Sequence, residues 1–306
     1  MIGPESGREH AVFLRLTPVA VPDSIVTMTD LHVSGRRFGV IAYAIVAYLA
    51  FVSVVLWAIA FLANIDVAPT VDGRRDGSAW VAAPIDAALL LLFAVQHSVM
   101  ARTGFKRWLA RVLPAAAERS TYVLAASLLL GLLFGQWRTI PTTVWRVGQP
   151  SAAAAIWTVY AIGWVIAIGA TFMVDHLDFS GLRQASWPSR RAPYESPSFT
   201  TRWLYGFVRH PMMLGLLIVF WATPRMTVGH VFFAAAASAY IAVGVRFEEG
   251  DLRRQLGHVY VEYARQVPAI VPAIVPARLG SPRRSSASTP VIRDRDRCGS
   301  SMARKP

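Results

Sequence analysis

Apolar and polar positions alternate along this chain in long blocks. Residues 39–63 contain no charge at all, and at about 1.5 Å per helical residue that run crosses the roughly 30 Å hydrocarbon core of a bilayer. A polar loop follows with Asp66, Asp72, Arg74, Arg75 and Asp76. A second span is predicted at 80–100, with Asp86 near one end and Gln96-His97-Ser98 near the other. A basic loop over 102–119 leads to a third span at 120–137, whose Gly131-x-x-x-Gly135 reads as a helix-packing pattern. The fourth span, 147–174, is again uncharged. After a proline- and arginine-rich loop, the run 203–224 is interrupted by Arg209-His210-Pro211, and 227–245 is a full apolar stretch. Pro211 lacks the backbone donor a continuous helix needs, so 203–245 is predicted to be a hairpin with a broken entry. Broken helices at membrane depth require protein or water to satisfy the freed backbone groups, which marks Arg209-His210-Pro211 as a candidate site.

Beyond 245 the chain turns charged, then shows apolar residues at helical spacing: Leu252, Leu256, Val259, Tyr260, Tyr263 and Val267. This predicts an amphipathic helix lying at the membrane surface. The expected fold is therefore all-α and polytopic: five to six transmembrane helices, a C-terminal broken-helix hairpin and an amphipathic cytoplasmic helix. The expected domains are an N-terminal cytoplasmic extension (1–36), a membrane-embedded domain (37–272) and a disordered basic tail (273–306).

Composition supports a membrane protein. Of the 306 residues, 54% are hydrophobic and 16% charged, against about 25% charged in soluble domains. The net charge of +13 concentrates in loops 102–119 and 183–209, as cytoplasmic loops require. Six crossings then put both termini, Arg209-His210 and Glu248-Glu249 on the cytoplasmic side. Asp86 falls near the outer interface and is expected to face water. No nucleic-acid module accompanies the charge, so nucleic acid is excluded as a partner. The single cysteine, Cys298, lies in the polar tail, so any thiol chemistry needs a thiol from the substrate. The seven histidines form no metal-ligand pairing, and no metal is expected. No glycine-rich nucleotide loop is present.

What remains is a constellation near the carboxyl end. Arg209-His210-Pro211-x-x-x-Gly215, Glu248-Glu249-x-x-Leu252, Gly257-x-x-Tyr260-x-x-Tyr263 and Val267-Pro268 resemble the isoprenylcysteine carboxyl methyltransferase superfamily over roughly 200–272. His97-Ser98-x-Met100-Ala101-Arg102, with Glu118-Arg119-Ser120-x-Tyr122, resembles the NnrU-type branch. Asp175-His176-x-Asp178-x-x-Gly181-Leu182-Arg183-Gln184, with Phe220-Trp221-Ala222-Thr223-Pro224, resembles the bacterial methanethiol S-methyltransferases. The resemblance implies methyl transfer from S-adenosylmethionine to methanethiol, giving dimethyl sulfide, in a bacterial inner membrane. In one departure, Met213 stands where the wider superfamily has tyrosine; this favours a small thiol over a prenylcysteine.

On that resemblance, His210, Arg246 and Glu249 are the expected catalytic residues: His210 as base or cofactor contact, Arg246 as stabiliser of the thiolate. Arg209, His210, Pro211, Gly215, Glu248, Glu249 and Tyr260 are expected to bind S-adenosylmethionine, and Met213, His97 and His176 to line the substrate pocket. Membrane lipid is the other expected partner. Another thiol, a prenylcysteine carboxylate or a phospholipid as acceptor remains an alternative, as does a non-enzymatic NnrU-like membrane protein. Replacing Glu249 is expected to abolish turnover while leaving the fold intact.

Overall fold

The computed structural model describes residues 23–73, 78–187, 201 and 203–271, with side chains from 37 onward. Residues 1–22 of the expected extension, the loop 188–200 and the tail from 272 lie outside the described residues. Five helices are long and apolar enough to span: α1 (Asp23–Ala63, its apolar part from Arg37), α2 (Ala79–Ala101), α4 (Glu118–Gln136), α5 (Pro150–Val174) and α9 (Val228–Leu256). Shorter helices join them: α3 (Thr103–Leu109), α6 (His176–Phe179), α7 (Leu182–Ser186), α8 (Pro211–Trp221) and α10 (His258–Gln266). The all-α polytopic architecture is as the hydropathy pattern predicts.

Local chemistry sets where the helices stop. α1 reaches back to Asp23 because no proline or other strong breaker separates Pro22 from its apolar core, so the helix enters the segment read as an extension. It ends at Asn64, which adopts a left-handed φ of 57° while Ile65 N–H donates back to the Ala60 carbonyl at 2.9 Å. Asparagine tolerates that conformation better than most residues. α8 starts at Pro211, where a missing N–H costs nothing in a first helical turn. Its eleven residues extend about 16 Å, roughly half the bilayer core.

One end of the bundle is knitted by three loops. β1 (Thr143–Arg146), between α4 and α5, pairs antiparallel with β2 (Arg225–Thr227), between α8 and α9. The α1–α2 loop joins them: Asp72 accepts from the Asn64 amide at 3.0 Å and from the Thr227 hydroxyl, and the Trp137 indole donates to the Val71 carbonyl at 3.2 Å. Beneath this cap sits an aromatic core. Phe61 stacks on Phe134 at 4.6 Å between centroids, and the edges of Trp137 and Phe233 close around it. Asp86 corrects its sequence reading here. It does not face water; it is fully buried and accepts the Arg138 N–H at 2.9 Å, because the chain leaving α4 folds back over the start of α2.

α8 is held to α5 by an approach of backbones. A Cβ on Gly215 would lie 2.5 Å from Ala167 N and from the Gly163 carbonyl oxygen. A Cβ on Gly163 would lie 2.9 Å from Ile218 and Val219 side-chain carbons. Small residues on both helices permit this contact, as in membrane helix pairs generally. Trp57 of α1 lies across Gly131 and Gly135 of α4 in a looser version of the same packing. Elsewhere the outer faces of α2 and α5 expose Leu91, Val95, Val165 and Phe172, a surface suited to lipid and not to water.

Gly215→Ala overpacks the α5–α8 contact and is expected to cost about 1–3 kcal/mol or more. A thermal melt in detergent should fall by several degrees, while Gly169→Ala, with nothing within 4 Å of its would-be Cβ, should not fall. Equal melts for both variants would remove the contact from the account.

Candidate active site

At the end of the bundle opposite the cap, the chain entering α8 runs alongside the chain leaving α10. Arg209 N–H donates to the Pro268 carbonyl at 2.9 Å and His210 N–H to the Ala269 carbonyl at 3.0 Å. These bonds satisfy the backbone that the Pro211 break would otherwise leave unpaired. They also aim the Arg209 and His210 side chains at the last turns of α9.

Glu249 is the centre of what they meet. Its Oε1 accepts from Arg209 Nε at 2.8 Å and also from Arg209 Nη2, and lies 3.3 Å from His210 Nε2. Its Oε2 accepts from Arg253 Nη2 at 3.0 Å. The Arg209 and Glu249 side chains are only 9% and 11% exposed, so this pair is largely withdrawn from water. The rest of the Arg209 guanidinium is also committed: Nη1 donates to the carbonyls of Ala264 and Val267. One arginine thus joins the entry of α8, the end of α9 and the end of α10.

His210 is buried and its two ring nitrogens face two carboxylates, Glu249 at 3.3 Å and Glu248 at 3.5 Å. Glu248 differs from its neighbour. Its side chain is 52% exposed, and His210 is its one ion-pair partner among the described residues. Tyr260, almost fully buried, packs with Tyr263 and Val267 against Leu252 and Leu256. Burial pushes the Tyr260 phenol above its usual range, the Glu249 charge adds to this and Arg209 opposes it, so Tyr260 stays a neutral hydroxyl at physiological pH. The amphipathic segment that places it is not one helix: Gly257, at a left-handed φ of 57°, divides it into the end of α9 and α10.

The structure therefore gathers Arg209, His210, Pro211, Glu248, Glu249 and Tyr260 at one place. Other residues expected at the site have different surroundings. Gly215 is turned to α5, whose backbone fills the space a side chain would take. Arg246 lies nearly a turn before Glu249 and is exposed, with no ion pair among the described residues. Met213 packs against the main apolar core.

His176 lies among Tyr48, Phe51 and Phe172. Thr171 gives its one hydroxyl proton to the Ile168 carbonyl at 2.7 Å, so at 2.8 Å it must accept from His176 Nδ1–H, and His176 Nε2 then accepts from the Tyr48 hydroxyl at 3.2 Å. The neutral ring is fully satisfied, and burial, partly offset by Asp175, lowers its affinity for a second proton. His97 is 2.7 Å from the Tyr122 hydroxyl and packs beside Phe93 and Tyr240. Neither histidine touches the Glu249 cluster. Sequence reasoning did not pick out Arg253 or the carbonyls of 264–269. Arg253's spacing of four from Glu249 was the available signal; the carbonyls carry none.

A polytopic helical membrane protein with a buried ionic cluster at one end of its bundle is the class this geometry defines. Residues 87–245 match the family described as NnrU protein. Methanethiol S-methyltransferase 2 of Bradyrhizobium diazoefficiens is 47% identical over 249 residues, covering 81% of this chain and 96% of that one. Methanethiol S-methyltransferase of Mycobacterium tuberculosis is 45% identical over 237 residues, 78% of this chain and 97% of the relative. Nurim of Xenopus laevis is 28% identical over 200 residues, 61% and 69% of the two chains. No solved structure matches. The chain belongs to the NnrU protein family and, within it, to the methanethiol S-methyltransferase family. It is a methyltransferase, which leaves the non-enzymatic alternative without support.

Removing one partner of a buried ion pair costs about 3–5 kcal/mol. Contrary to the expectation from sequence that the fold would stay intact, Glu249→Ala is expected to lower the detergent melting temperature strongly, because the carboxylate holds Arg209 and Arg253. Glu248→Ala, at a half-exposed position, should change stability by no more than about 0.5 kcal/mol. Comparing the two melts checks this, and a stable Glu249→Ala protein would show that the cluster does not hold the site together.

Proposed function

We propose that this enzyme transfers the methyl group of S-adenosylmethionine to methanethiol, forming dimethyl sulfide, at the cytoplasmic face of the membrane. The observation that carries this reading is the pairing of His210 with two carboxylates of unequal commitment. Glu249 is saturated by two arginines and holds the site; Glu248 is half-exposed and free to meet a ligand. A sulfonium cofactor is cationic, and its ribose and amino groups donate hydrogen bonds, so an available carboxylate beside a neutral tyrosine hydroxyl fits it.

When bound, S-adenosylmethionine supplies a methyl group on a positively charged sulfur that leaves as a neutral thioether. The chain has three tasks around that event. With Nε2–H directed at Glu249, His210 takes the thiol proton on Nδ1 as the half-exposed Glu248 turns from it to the ligand, and the resulting imidazolium stays paired with Glu249. The sulfur pair freed on the thiol then forms the new S–CH3 bond. Arg246, exposed and without an ion-pair partner among the described residues, supplies positive charge for the thiolate, which is scarce because a free thiol has a pKa near 8.5. Orientation of the reactants does most of the rest, since the leaving group is already activated.

The cytoplasmic placement rests on charge. Loop 102–119 carries Arg102, Lys106, Arg107, Arg111 and Arg119 against Glu118, and it lies at the same end of the bundle as the cluster. Methanethiol reaches the site through lipid, while the charged cofactor arrives from water.

Headspace gas chromatography over cells expressing the chain and fed methanethiol should detect dimethyl sulfide. His210→Ala should reduce its formation about 100-fold or more, the usual range for a lost general base. Glu248→Gln should act chiefly on the apparent affinity for S-adenosylmethionine. No dimethyl sulfide from cells shown to contain inserted protein would overturn the small-thiol reading.

A further inference from the structure

The cations of loop 102–119 fall into two sets. Lys106 pairs with Glu118 at 3.5 Å, Arg119 pairs with Asp178, and the Arg102 guanidinium lies 4.8 Å over the centre of the Phe247 ring. Arg107 and Arg111 are left over. Both are exposed, and neither side chain has an ion pair or a hydrogen bond among the described residues. No acidic residue stands between Asp86 and Glu118 to balance them.

Local geometry puts these two on one face. α3 ends at Leu109, but the turn runs on: Arg111 N–H donates to the Trp108 carbonyl at 3.0 Å and Leu113 N–H to the Leu109 carbonyl at 2.9 Å. Residues four apart therefore lie one above the other. Leu109 points inward and is buried. At about 100° per residue, Arg107 and Arg111 stand nearly opposite it, and Trp108 and Val112 fill the flank between. Trp108 is 54% exposed and Val112 67%, and the Trp108 ring leans on Phe105 at 5.2 Å between centroids. Two uncompensated guanidinium groups thus stand beside two bare apolar side chains.

The two halves of this face match two parts of one ligand. A guanidinium suits a phosphate, which it can grip with paired N–H donors. Trp108 and Val112 would gain nothing from a soluble anion; they fit the glycerol and upper acyl region of a lipid. Position agrees, because the turn joins the end of one span at Ala101 to the start of the next at Glu118, where the chain leaves the hydrocarbon. Tryptophan is enriched in that layer, and helices with one basic and one apolar side lie in it. We propose that the turn after α2 docks an anionic phospholipid, its phosphate on Arg107 and Arg111 and its glycerol and upper acyl chains against Trp108 and Val112. A zwitterionic lipid offers the same apolar part, but its own ammonium offsets the phosphate, so two unpaired cations favour a lipid of net negative charge.

Native mass spectrometry of the full chain in detergent, titrated with phosphatidylglycerol and phosphatidylethanolamine of matched acyl chains, tests this without reference to methyl transfer. Phosphatidylglycerol should bind about ten-fold or more tighter, since each arginine near an anionic lipid contributes about five-fold. Arg107→Gln with Arg111→Gln should erase most of that preference, whereas Arg107→Lys with Arg111→Lys should keep most of it. All four positions are exposed on the surface, where such changes leave the fold in place. Arg254→Gln with Arg265→Gln removes the same two charges elsewhere at this end of the bundle and should leave the preference as it was. Trp108→Ala should weaken binding of both lipids. Equal binding of the two lipids, or a preference that falls as far in the Arg254/Arg265 variant as in the Arg107/Arg111 variant, would overturn the proposal. So would competition by soluble glycerophosphoglycerol as strong as that of the whole lipid, since a free phosphodiester would then be the occupant.

Discussion

The Arg209–Glu249 pair is the contact on which the polar end of this protein depends. Three chain segments arrive there from different directions: the extended entry to α8, the last turns of α9, and the turn after α10. Their apolar contacts lie apart from one another: α8 packs on α5, and α10 packs on the end of α9 through Tyr260, Tyr263 and Val267. The guanidinium supplies what packing does not. It is planar and always charged, and its five donors reach a carboxylate on one helix and two carbonyls on another. Lysine would offer the charge without that fork.

A division of labour between adjacent glutamates follows from helical geometry. Successive residues on a helix point about 100° apart. Glu249 therefore faces inward to Arg209, while Glu248 projects to the rim and reaches His210 from the other side. The one imidazole between them meets a buried carboxylate on one side and a half-exposed one on the other. The cluster thus combines one carboxylate fixed by two arginines with one that is half-exposed to solvent.

Much of this was legible in the sequence, and the reasons differ by feature. The spans came from charge-free runs, which hydropathy reports directly because a bilayer admits few alternatives. The break at Pro211 and the shortness of α8 came from proline chemistry. The gathering of Arg209, His210, Glu248, Glu249 and Tyr260 came from resemblance to a family, since no periodicity links 209 to 249. The β1–β2 ribbon lies outside the all-helical expectation, although Thr142, Thr143, Val144 and Trp145 form a short β-prone run. Asp86 was misread because a charge near a span's end faces water by default, and its partner is a backbone N–H, which leaves no mark in a sequence. Gly215 looked like a cofactor contact because of its place in a motif, whereas its duty is close packing.

That close packing constrains how the enzyme can move. Where α5 and α8 meet there are no long side chains between them to re-rotate, so the two helices cannot slide without parting their backbones. They behave as one stiff blade. The ribbon and the Asp72–Thr227 bond clamp the blade to α9 at the capped end. Arg209 and Glu249 clamp the same blade to α9 again at the other end. The blade is thus pinned to one helix above and below, like a stave between two hoops.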